Sequence, residues 1–86
     1  MFDNWLSKFF YNNFRIRYND SIKKSNFYVG ELRLTPAESA YLLAKFSENF
    51  KLPLTELIDN MNDFSCYELT MAAEKIGGKY GRNSNN

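Results

Sequence analysis

Histidine is absent from this chain of 86 residues, cysteine occurs once and proline twice. Without histidine the commonest general base is missing, so Ser-His or Cys-His hydrolytic chemistry is not expected. A single cysteine and no histidine also leave no ligand set for a structural zinc site. Cys66 has no second cysteine to pair with inside the chain. That composition suits a reducing compartment, and a cytoplasmic location is the expectation. An excess of one charge is missing too. Eleven Lys and Arg stand against ten Asp and Glu, for a net charge of +1. So small an imbalance argues against a broad electrostatic footprint for nucleic acid. No apolar run reaches the length of a membrane span, and the first residues do not follow a signal-peptide pattern. Aromatic residues, by contrast, are plentiful. Eight Phe, six Tyr and one Trp make up 17% of the chain, well placed to fill the interior of one small domain.

The apolar spacing predicts four helices with a long connection after the first. Phe2, Trp5, Leu6, Phe9 and Phe10 recur at helical intervals over residues 2 to 13. The segment "NFRIRYNDSIKKSNFYVGE" has no sustained helical period, and Asn19, Asp20, Ser21 and Gly30 read as turn markers. It is expected to be an ordered loop with Phe14, Ile16, Ile22 and Phe27 turned inward. The second helix runs from Pro36 to about Asn49, burying Leu42, Leu43, Phe46 and Phe50. Pro53 ends any continuation and can open a short third helix, "LTELIDNM". Ser65 and Glu68 predict a capping box for the last helix, with Phe64 and Leu69 as its staple. Cys66, Leu69, Ala73 and Ile76 form its inward stripe, and Gly77-Gly78 is expected to stop it. One helical domain over residues 1–78 is followed by a polar tail, 79–86, expected to be disordered.

The start of the second helix, "LRLTPAESAYLL", is unusually complete. Thr35 can cap it, Pro36 occupies the first helical position, and Glu38 can reach back to the cap. The segments around it resemble the acyl carrier protein family over roughly residues 14–76. In that family the second helix opens with a Leu-Gly-Leu-Asp-Ser-Leu run. Counting back from Phe50 places "LRLTPAES" on it without a gap. Leu32 and Leu34 match the family leucines, while Arg33 stands for Gly, Thr35 for Asp, Pro36 for Ser and Ala37 for Leu. Phe27 resembles the loop residue that plugs the core, and "NDFSCYELTMAA" resembles the family's last helix. The resemblance implies an all-α, acyl-carrier-like four-helix bundle.

It also implies a loss. Carrier proteins attach 4'-phosphopantetheine through the serine hydroxyl that Pro36 replaces, and proline has no hydroxyl. In this respect the chain resembles the acyl-carrier-related proteins of bacterial peptide-maturation systems. The implied role is non-catalytic, with no cofactor: a monomeric adaptor for a biosynthetic or peptide-modifying enzyme or its precursor peptide. The implied contact residues are Pro36, Ala37, Glu38, Tyr41, Ala44, Glu48, Glu56 and Leu57.

Three other readings compete. Ser39 is an alternative attachment serine for 4'-phosphopantetheine, at the cost of shifting the register and shortening the second helix by about one turn; otherwise it is a solvated or helix-facing serine. Cys66 can be read as a thiol near a helix N-terminus, or as a small buried hydrophobe on the stripe with Leu69 and Ala73. A helix-turn-helix reading has to accept a second helix bearing Glu56, Asp59 and Asp63, with no Lys or Arg between Lys51 and Lys75. Phosphates would repel it.

Overall fold

The computed structural model describes residues 1–84, with side-chain surroundings described through residue 78. Among the described residues there are five helices and no strand: α1 Phe2–Phe14, α2 Asp20–Lys24, α3 Pro36–Phe50, α4 Leu54–Asp59 and α5 Cys66–Ser84. The expected all-α class holds. No described helix is long and apolar enough to cross a membrane.

The long connection is not a plain loop, because α2 lies within it. Asn19 caps that helix, its side chain accepting from the Ile22 N–H at 2.9 Å, and Lys23 and Lys24 sit in its last turn, where the helix dipole favours cations. A cap followed by a buried apolar residue was present in "NDSIKK". The segment is only five residues long, too short for periodicity to reveal. Phe14 and Ile16 are half-buried, and Ile22 and Phe27 are buried, as the sequence suggested.

Helix α5 carries the assembly. Helices α1, α2 and α4 pack against it, and α3 packs on α4. Between α1 and α3 lies a layer of rings. Phe2 meets Phe50 edge-on at 4.8 Å, Trp5 stacks on Phe9 at 5.0 Å, and Phe46 touches Phe2, Trp5 and Phe50. Phe10, Phe27 and Phe46 are the largest fully buried side chains. Each contributes roughly 1.5–3 kcal/mol by leaving water.

Two details of α5 differ from expectation. Ser65 does cap it, accepting the Glu68 N–H at 3.1 Å, but the Glu68 carboxylate accepts from the Asn62 N–H at 3.0 Å instead of returning to the cap. The box is half-made, and the glutamate ties down the α4–α5 turn. Nor do Gly77 and Gly78 end the helix, which continues to Ser84. Two glycines cost a helix about 1 kcal/mol each, but nothing in their surroundings forces the chain to turn. Of the expected tail, residues 85–86 lie outside the described residues. A methyl group at either glycine meets no atom within 4 Å. Gly78→Ala is therefore expected to raise stability by about 0.5–1 kcal/mol, read from the urea midpoint.

Candidate docking site at the head of α3

The head of α3 is fixed from both sides. The Thr35 N–H donates to Glu38 Oε1 at 2.8 Å, and the Glu38 N–H donates to Thr35 Oγ1 at 3.1 Å, with Pro36 at the first helical position. Leading into this cap, Leu32 and Leu34 are buried, and Arg33 between them has φ +48°. That left-handed conformation costs a side-chain-bearing residue roughly 1–2 kcal/mol. The Leu34 N–H reaches the Phe27 carbonyl at 2.6 Å, and the Phe27 N–H reaches the Phe64 carbonyl at 2.7 Å. Residues 26–34 are thereby fastened to the start of α5.

Beside this cap opens a small apolar groove of about 240 Å³ between α3, α4 and the loop. Pro36, Ala40, Leu43, Ile58, Phe64 and Tyr28 give it its walls. Ser39 is its polar floor. The serine is only 2% exposed, and its Oγ is bonded to the Tyr28 hydroxyl at 2.8 Å and to the Pro36 carbonyl at 3.0 Å. Its hydroxyl is thus helix-facing and covered by Tyr28, which also packs edge-on against Phe64 at 5.9 Å. The volume is below that of most small-ligand pockets and suits one or two apolar side chains.

The sequence-derived contact residues do not form one patch. Ala37, Tyr41, Ala44 and Glu48 lie four, three and four residues apart and are all exposed, so they make one stripe along α3. Tyr41 and Glu48 from that stripe border a wider, more polar trough of about 460 Å³, shared with Trp5, Phe9, Asn13, Lys45 and Asn49. Pro36 instead lines the apolar groove. Glu38 is half-buried with its carboxylate committed to the cap. Glu56 is half-buried on α4. Leu57 is a correction. It is fully buried in the core, because the short α4 turns Leu57 inward onto α5 and leaves Ile58, 37% exposed, at the groove. Sequence reasoning also missed Tyr28 and Ala40, and read Phe64 only as a staple of the last helix. Ala40 follows from Pro36 by helical spacing, while the folded loop that brings Tyr28 over Ser39 had no periodic signal.

Cys66 is completely buried, as the apolar-stripe reading expected. Burial foremost, with the nearby Asp3 carboxylate, pushes its thiol up to about 12, against smaller lowering effects from Lys23 and Tyr18. A thiol so protonated is a poor nucleophile. Around it, the Tyr18 hydroxyl donates to Asp3 Oδ1 at 3.1 Å and Lys23 Nζ pairs with Asp3 Oδ2 at 3.0 Å. No group of residues able to hold a metal ion occurs among the described residues. No family model, curated protein or solved structure matches the chain.

Proposed function

We propose that this protein is a carrier-like adaptor without its prosthetic arm, working by shape beside a biosynthetic, peptide-modifying enzyme. The observation that carries the reading is Pro36 at the first position of α3, exposed and without a hydroxyl at the place where a carrier would bear its serine. Arg33 adds support. Its left-handed backbone sits where the carrier family has glycine. Buried Phe27, Leu32 and Leu34 agree with the same register. In this role the capped head of α3 gives a partner a rigid edge, and the groove beside it accepts an apolar side chain. Recognition then depends on Pro36, Ala40 and Ile58 around the groove and on the stripe Ala37, Tyr41 and Ala44.

The rival is a working carrier loaded on Ser39. Attachment there would have to displace Tyr28 and break both hydrogen bonds of the serine. Incubation with a broad-specificity phosphopantetheinyl transferase and coenzyme A, read by intact-mass spectrometry, separates the two. The wild-type chain is expected to keep its mass. A pantetheinylated wild-type species would return the protein to the true carriers. A duplex-DNA role is disfavoured because α4 carries Glu56 and Asp59 and no cation.

A further inference from the structure

The net charge of +1 conceals a strong segregation along the chain. Residues 4–19 hold Lys8, Arg15 and Arg17 and no carboxylate. Residues 52–74 hold Glu56, Asp59, Asp63, Glu68 and Glu74 and no cation. The acids of the second stretch belong to α4, α5 and the turn between them. The cations of the first stretch have no counterpart in the docking reading.

Two of those cations, Arg15 and Arg17, line a concavity. Ser7, Tyr11, Arg15, Ile16, Arg17 and Tyr18 line a hollow of about 300 Å³ where α1 ends. Arg15 sits in the left-handed cap of α1 at φ +56°, its N–H donating to the Tyr11 carbonyl at 3.1 Å while the Ile16 N–H donates to the Phe10 carbonyl at 3.2 Å. Its guanidinium lies over the Tyr11 ring at 5.3 Å. Lys8 and Tyr11, three residues apart, share one exposed stripe of α1, and Arg15 is exposed at the cap that follows. Among the described residues neither arginine makes an ion pair. One acid is tied to the hollow's lining: Asp3 bonds the Tyr18 hydroxyl and is already matched by Lys23. It does not neutralise them. Tyr18 is anchored by that bond, and the half-buried Ile16 adds an apolar wall.

We infer that this hollow binds an acidic peptide segment bearing an apolar or aromatic residue, the carboxylates meeting Arg15 and Arg17 and the apolar group resting among Tyr11, Ile16 and Tyr18. Arginine suits this task because its planar guanidinium grips a carboxylate with two parallel bonds. The charge pattern selects a short acidic peptide over a long polyanion. The hollow itself offers two arginines, and nucleic acid or an anionic bilayer spreads its charge past the site toward the carboxylates of the other helices. A short segment meets the local field alone, since charges beyond about 8 Å are screened at physiological salt. The proposal does not depend on the carrier-like reading, because its residues lie on α1 and the following turn, away from Pro36.

The test is fluorescence anisotropy with a labelled Glu/Phe-repeat peptide and the full chain. Saturable binding that weakens with added salt is expected. Arg15→Glu with Arg17→Glu should weaken it about tenfold or more, whereas Lys51→Glu with Lys75→Glu, an equal change of net charge elsewhere, should leave it nearly unchanged. Should the reversal unfold the chain, Arg15→Gln with Arg17→Gln gives the same comparison with a smaller loss. A Glu/Ser-repeat peptide should bind more weakly than the Glu/Phe one. Equal losses in the two charge-matched pairs, absence of saturation, or no preference for Phe would overturn the inference. So would tighter, arginine-dependent binding of single-stranded RNA or phosphatidylserine vesicles.

Discussion

Phe46→Ala is expected to destabilise the fold by about 3–5 kcal/mol. The ring is fully buried and meets Phe2, Trp5 and Phe50 with centroids 4.7–5.6 Å apart. Removing it takes away transferred apolar surface and the aromatic contacts that hold α1 against α3. The void is hard to close, because its walls are other rings, whose shapes do not collapse into a smaller space. Domains of this size have roughly 5–15 kcal/mol in hand, so much of the margin goes with one side chain. A loss near 4 kcal/mol corresponds to a fall in Tm of about 15–30 °C. Thermal unfolding followed by circular dichroism reads it. A fall of only a few degrees would mean that α1 is not held to α3 by this ring layer.

The second large effect concerns alkaline pH. In the unfolded chain the thiol of Cys66 loses its proton near 9, whereas in the fold it holds it up to about 12. Below pH 9 both states carry the proton and the thiol has no influence on the slope. Between the two values the unfolded state binds fewer protons than the folded one, so stability drops as pH rises. The slope reaches about 1.4 kcal/mol per pH unit and the total about 4 kcal/mol once the folded thiol titrates. Tyr18 acts in the same direction, since burial first and then the charges of Cys66 and Asp3 hold its phenol protonated beyond the usual range. Cys66→Ala should cost about 1 kcal/mol at neutral pH and then decline less steeply than wild type above about pH 9. Urea midpoints of the two proteins across that range give the comparison. Parallel declines would show that the thiol does not depend on burial for its proton.

Which parts of this molecule could be read without coordinates follows from how local their physics is. The head of α3 was legible because a capping box spans four residues and each has a defined role. The inward stripes of α1, α3 and α5 were legible because 3.6-residue periodicity is written into their apolar positions. Leu57 was misplaced because α4 is a six-residue helix, too short for its apolar residues to declare a face. Between Leu57 and Ile58 the decision is made by where α5 lies. Glu68 was misassigned for a related reason. Its reach toward Asn62 depends on a turn whose path is set by tertiary packing. The apolar groove draws on the loop, α3, α4 and Phe64 in the turn before α5. Among its lining only Pro36 and Ser39 had been read as site residues, while Leu43 and Phe64 had been read as packing residues. The basic hollow was hidden by arithmetic, since a balanced total says nothing about where each sign resides.

The stitching of residues 26–34 onto Phe64 and Ser65 has a consequence for how the molecule breathes. Phe27 and Leu34 lend their amides to partners in a structured network, and Asn26 faces Ser65 across an isolated bridge. Opening that connection would expose the buried Phe27 ring and uncover Leu32 and Leu34 together. Its amides should therefore exchange with solvent on the timescale of the surrounding helices, as one cooperative unit, although much of the segment has neither helix nor strand to protect it.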